Sequence, residues 1–206
     1  VTNIDHLIFT TATLEEGMDH IEAQLGMRPV IGGRHEQWGT HNALLSLGSS
    51  YLEVVAPCPD LPIPERGLWL AEYFQKAPQL TTWALQTKNI QASYQRAIAE
   101  DIVLGEIKKG QRHKPDGSLL SWQLTDPYPL PFGGTLPFLI DWGNSEHPSQ
   151  ETPKAGVLKE LIIQHPDPDL ISNKLDALAI QLPIERSTSP GLKAMIDTKA
   201  GLIELV

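Results

Sequence analysis

Few side chains in this sequence are arranged to do chemistry. Arg112 stands just before the turn Lys114-Pro115-Asp116-Gly117, and Trp122 follows on the strand-like run LLSWQLT. A guanidinium and an indole so placed can address one pocket, a pairing that suits a carboxylate, a phosphate or a flat conjugated molecule. The same residues also read as an ordinary hairpin turn and a core tryptophan. Trp38, Trp83 and Trp142 extend the first reading to an aromatic-walled cavity, and each serves equally well as bulky core filling. His6 and Glu53 lie on strand-like runs, where an imidazole and a carboxylate are ordinarily a hydrogen-bonded strand histidine and an ion-paired acid. His35 and His41 flank Trp38-Gly39-Thr40 and suit ligand binding or turn capping better than metal coordination. The single Cys58, between Pro57 and Pro59, has no second cysteine for a disulfide or a zinc site. GxSxG, Walker and HExxH patterns are absent, and the pairs Gly32-Gly33 and Gly133-Gly134 lack the strand-turn-helix setting of a dinucleotide site.

Composition narrows the partners. The chain has 206 residues, with 16 basic against 25 acidic side chains, a net charge of −9 and a pI near 5.2. That surplus repels nucleic-acid backbones and anionic membrane surfaces. Lys108, Lys109, Arg112, His113 and Lys114 form the one basic cluster; read as a loop, it suits a small anion rather than a duplex. No nucleic acid and no membrane partner is therefore expected. With 41% hydrophobic and 20% charged residues, the chain has material for a core. The opening VTNIDHLIFT is unlike a signal peptide, and no run approaches the ~18 apolar residues of a membrane span, so the expectation is a soluble cytoplasmic protein.

The elements repeat. IDHLIF from Ile4 reads as a strand, Thr13 and Glu16 form a T-x-x-E helix start, Leu14, Met18, Ile21 and Leu25 make an apolar stripe, and Gly26 ends the helix. Near the C-terminus Leu158 stands 154 residues after Ile4, and Pro168, behind the cap Asp167, stands 154 after Leu14. Between them TTWALQT from Thr81 leads to the cap Asn89 and the stripe Ile90, Tyr94, Ala97. Strand-like runs follow each helix, giving an α+β fold of repeated βαβββ units. Two units should pair into a cupped mixed sheet with helices outside. Residues 1–148 are read as the paired units, about 1–57 and 80–143, and 155–206 as a third, shorter unit. The segment Glu65 to Lys76 reads as an inter-unit helix or a lid.

The βαβββ repeat, DHLIF and YLEVVAP resemble the vicinal oxygen chelate superfamily. More narrowly, GGRHEQWGTHNALL from Gly32, RHKPDGSLLSWQLT from Arg112 and LPFLIDWG followed by His147-Pro148 are similar to glyoxalase-like domain proteins. The resemblance implies a divalent metal (iron, manganese, zinc or nickel) inside the cup, with His6 and Glu53 as ligands and Glu53 also as the catalytic proton carrier. In the second unit the place of His6 falls on Thr82 or Trp83, and Asp141 takes roughly that of Glu53. If units one and three paired instead, the set would be His6, Glu53, Glu160 and Glu204; pairing of one with two is preferred because the family motifs lie there. His35, Asn42, Trp83, Arg112, Trp122 and Asp141 are the expected substrate contacts. The implied function is an enzyme of lyase, isomerase or dioxygenase type acting on a small oxygenated molecule. The alternative is a metal-free protein that sequesters a planar compound, as antibiotic-resistance members do. A homodimer is implied by the same resemblance.

Overall fold

The computed structural model describes residues 4–113 and 119–206. The first unit runs β1 (Ile4–Thr10), α1 (Leu14–Leu25), β2 (Val30–His35), β3 (Thr40–Leu47) and β4 (Ser50–Pro57). The second runs β5 (Gln79–Gln86), α2 (Ile90–Ala99), β6 (Ile107–His113), β7 (Leu119–Thr125) and β8 (Phe138–Asp141). Together they form one eight-stranded sheet in the order β2-β3-β4-β1-β5-β8-β7-β6. β1 and β5 join the halves antiparallel, each lying parallel to the last strand of its own unit.

Strand alternation sorts the side chains onto two faces. Leu7, Phe9, Leu52, Val54, Trp83 and Leu139 face the helices and share one core with Leu14, Met18 and Ile21 of α1. Ile8, Leu44, Tyr51, Val55, Ala84, Phe138 and Ile140 face the concave side. The helices start where the caps predict: Thr13, Asn89 and Asp167 each accept a hydrogen bond from a backbone N–H of the first turn.

The third segment keeps the order of elements but not the order of strands. It comprises β9 (Gly156–His165), α3 (Pro168–Ala177), β10 (Ile184–Arg186), β11 (Gly191–Thr198) and β12 (Gly201–Leu205). Its sheet runs β10-β9-β11-β12, with β10 parallel to β9. The short β10 therefore sits beside the strand that precedes α3, where the other units put the last strand. Leu161, Ile163, Leu192 and Ile196 pack into the helix-side core, so this sheet backs the larger one. Glu160 and Glu204 are exposed on the separate sheet, which removes the alternative in which they complete a site with His6 and Glu53.

Two further expectations change. The basic run is the edge strand β6, not a loop: Lys108 turns to Asp126 at 2.7 Å while Lys109 lines the cup. Lys114 lies outside the described residues. The segment Glu65 to Lys76 contains turns and no helix, and it buries Trp69, Leu70 and Phe74 over one end of the cup, as a lid would. No helix among the described residues is long and apolar enough to cross a membrane.

Gly17 marks where α1 touches the sheet: a Cβ there would come within 2.5 Å of Thr11 Cγ2 and Val54 Cγ1. Alanine at this position gains about 1 kcal/mol in helix propensity but overpacks the contact by about 1–3 kcal/mol. Gly17→Ala should therefore lower the Tm by a few degrees in a thermal melt, and an unchanged or raised Tm would show that α1 can lift off the sheet freely.

Candidate functional site

The concave face encloses a cavity of about 540 Å³, within the range of small-molecule sites. β1 contributes His6, β2 His35, the turn after it Trp38, β3 Asn42 and Leu44, and β4 Tyr51 and Glu53. The second unit contributes Trp122 and Leu124 from β7, Phe138 and Ile140 from β8, and Trp142 just beyond it. Trp69, from the connection between the units, closes one end.

On the floor, His6 Nε2 lies 3.3 Å from Glu53 Oε2. Register explains the approach: Glu53 pairs with Ile8 across parallel strands, two residues from His6, so both side chains rise from the same face. Asn42 Nδ2 donates to Glu53 Oε1 at 2.6 Å and also approaches His35 Nε2 at 3.2 Å. Asn42 Oδ1 accepts from the Gly33 N–H at 2.6 Å, so all its polar atoms are engaged in fixing the site. The His6 ring stacks on Tyr51 at 4.6 Å and meets the edge of Phe138 at 5.4 Å, which fixes its plane.

Behind His6 sits a buried carboxylate. Neighbouring strand residues normally point to opposite faces, but the β1–β5 register skips between Ile4 and His6, a bulge that frees Asp5 to reach its neighbour. Asp5 Oδ1 lies 2.7 Å from His6 Nδ1; Oδ2 accepts from Trp142 Nε1 at 2.8 Å and lies 3.2 Å from His147 Nε2. Burial disfavours the charge on Asp5, yet the hydrogen bonds from His147 and His6 outweigh it and hold the carboxyl down to about 2. An ionised Asp5 keeps the proton of His6 on Nδ1 and presents Nε2 to the cup.

Of the expected contacts, His6, His35, Asn42, Glu53 and Trp122 line the cavity together. Trp83 does not: it is fully buried on the helix side, with Nε1 donating to the Thr135 carbonyl at 2.9 Å. Asp141 also faces away, accepting from the N–H groups of Gly143 and Ile90 at 2.9 and 3.4 Å, where it secures the entry to α2. Arg112 lies on β6 opposite Leu120, and its side chain is outside the described residues. Asp5 and His147 join the site without any spacing in the sequence that marks them. The Asp5-His6 pair was visible as a dipeptide, but nothing in a single sequence announces the bulge that turns it into a contact.

His6 and Glu53 stand at the separation of two donors sharing one ion, and the Asp5 bond to His6 is the kind of support a metal-bound imidazole receives. His35 Nε2 approaches Glu53 at 3.6 Å, but at Oε1, the oxygen turned away from His6. Among the described residues no three His, Cys, Asp or Glu side chains are grouped to hold a metal ion. Where the second unit would complete the cage, Ala84, Phe138 and Ile140 face the cup. A catalytic ion ordinarily takes three protein ligands, so this donor set does not fit a resident divalent metal.

Residues 4–179 match the glyoxalase-like domain family. No curated protein sequence matches the chain significantly. Among solved structures, a hypothetical protein from Staphylococcus aureus superposes with a TM-score of 0.69 at 15% identity, over 93% of this chain and 88% of the other. That likeness is one of fold. Methylmalonyl-CoA epimerase from Mycobacterium tuberculosis superposes with a TM-score of 0.48 at 20% identity, over 68% of this chain and 88% of the epimerase.

Asp5 ties stability to acidity. Its carboxyl titrates near 3.8 when unexposed to these partners and at about 2 in the fold, so its contribution is complete above 3.8 and is lost as the pH falls toward 2. The shift corresponds to about 2 kcal/mol. In urea titrations, the stability gap between the wild type and Asp5→Asn should narrow by about that amount between pH 5 and pH 2; a constant gap would show that the charge on Asp5 is not what the two histidines stabilise.

Proposed function

The chain belongs to the glyoxalase-like domain family of the vicinal oxygen chelate superfamily, and on that premise we propose that it is an enzyme of isomerase or lyase type that moves a proton on a small oxygenated molecule. The observation that carries the proposal is the 3.3 Å approach of His6 Nε2 to Glu53 Oε2 on the floor of an aromatic-walled cup. Glu53 takes the proton from a carbon next to a carbonyl, with Asn42 holding its other oxygen. His6, steadied by Asp5, stands within reach of the same proton and can return it to oxygen or to the neighbouring carbon. No step is routed through a metal, because the donor set does not fit one; this sets aside the dioxygenase reading, whose chemistry asks for such a centre.

A matched pair of α-hydroxy ketones tests the proposal. The protein should catalyse deuterium uptake from D2O at the carbon beside the carbonyl of 2-hydroxyacetophenone or hydroxyacetone, followed by proton NMR. Glu53→Gln should slow that uptake by about 10²-fold or more while leaving calorimetric affinity within a few-fold. Binding with no exchange above the solvent rate would favour the sequestering protein, a reading supported by the half-buried Trp122 packed on Trp142 at 5.4 Å.

Chelation separates the metal question from the proton question. Dialysis against EDTA should leave both the exchange rate and the Tm unchanged. Loss of activity restored by one equivalent of a single divalent ion would overturn the metal-free mechanism.

A further inference from the structure

The two halves of the cup are built from the same succession of elements yet differ in the chemistry of their floors, the polar groups of the second half, Lys109 and Gln111, standing on the edge strand β6. On the first unit, His6, Asn42 and Glu53 place nitrogen and oxygen on the floor. On the second, Ala84, Leu124, Phe138 and Ile140 present carbon, and Trp122 and Trp142 make a wall. A ligand that is polar throughout would leave the second-unit floor without an apolar partner, and one that is apolar throughout would set hydrocarbon against Glu53 Oε2 and His6 Nε2.

The wall is mounted with care. Trp122 on β7 lies opposite Gly110 on β6, and a Cβ at that position would come within 2.3 to 2.6 Å of the indole atoms Cε2, Nε1 and Cζ2. Only a residue without a side chain lets the ring lie down on the backbone of the edge strand. Trp142 braces the same ring at 5.4 Å and 48°, and Trp142 is itself held through Nε1 by Asp5. One carboxylate thus positions both His6 and the support of the indole, which fixes the spacing between floor and wall. Trp122 is only half-buried, and it lines the cavity. A braced and partly uncovered indole is a stacking platform for a planar group.

Building on the proposed proton transfer, we infer that the cup selects a two-part ligand: an aryl or similarly flat conjugated group against Trp122 and the second-unit wall, joined by a short link to an oxygenated carbon over Glu53 and His6. A cavity of about 540 Å³ lies in the range of such a molecule and is far larger than a three-carbon ketone would fill. Trp122 is then a specificity-determining residue, and Gly110 a positioning residue that acts through it.

Isothermal calorimetry on the Glu53→Gln protein, where turnover is suppressed, tests this with 2-hydroxyacetophenone and hydroxyacetone. The aryl ketone should bind at least about tenfold more tightly. Trp122→Ala should remove most of that preference, Trp122→Phe should keep it, and Gly110→Ala should weaken the aryl ketone while leaving hydroxyacetone unchanged. An unaltered Tm shows that the variants remain folded. Equal affinity for the two ketones, failure of the aryl ketone to bind at millimolar concentration, or a preference that survives Trp122→Ala overturns the inference. Aryl selectivity without any exchange in the wild type would uphold this inference while sinking the enzymatic reading; exchange on both ketones without selectivity would do the reverse.

Discussion

A carboxylate sealed inside the protein organises the site. Asp5 is 1% exposed and touches three groups that face the cup or border it: His6, Trp142 and His147. Burying an ion is costly unless hydrogen bonds replace the water it has lost, and here three ring N–H positions surround its two oxygens. Each partner is held in turn, His6 by Tyr51 and Phe138 and His147 by Ser149 at 2.8 Å. The imidazole of His6, the aromatic wall and the stretch beyond β8 are therefore parts of one hydrogen-bonded body.

The bulge at Asp5 makes this arrangement available. A regular strand would turn Asp5 toward the helices, into the layer of Leu7, Phe9 and Leu52, where it would meet only hydrocarbon. The irregularity costs one ladder position at the centre of the sheet and returns three charge-assisted contacts. Because β1 and β5 form the seam between the units, the distortion lies where both halves of the cup can use it.

Much of the scaffold was legible in the sequence because local chemistry decided it. Thr13, Asn89 and Asp167 start helices for the same reason that they read as caps, and the spacing of 154 residues revealed related units. Side-chain direction was harder. Alignment by the helix cap puts Thr82 or Trp83 at the place of His6, but period-two alternation means that a displacement of one residue moves a side chain through the sheet: Trp83 lies on the helix side and Ala84 faces the cup. Asp141 failed for the same reason, standing one residue from the inward-facing Ile140. β6 was hidden by its own charge: an edge strand tolerates lysine and arginine, so IKKGQRH looked like a solvated turn. The third unit's strand order depends on which edge β10 docks against, a tertiary choice that its three residues do not encode.

The connection between the units does double duty as a ceiling. Trp69 Nε1 donates to the Pro127 carbonyl at 3.1 Å, Tyr128 donates to the Gly67 carbonyl at 2.8 Å, and Arg66 joins Asp126 at 2.6 Å, so this strap is stitched to the far unit at its middle as well as anchored at both ends. A covering sewn down at so many points is ill suited to swing aside. The cup opens instead at its rim, where Gly33 to Gln37 of the first unit and Lys109 to Gln111 of the second line it from opposite edges of the sheet. The same two outer strands also hold what lies beneath them, since the Gly33 N–H fixes Asn42 and the bare backbone of Gly110 seats Trp122, so the mouth of the cup and its floor are built as one piece.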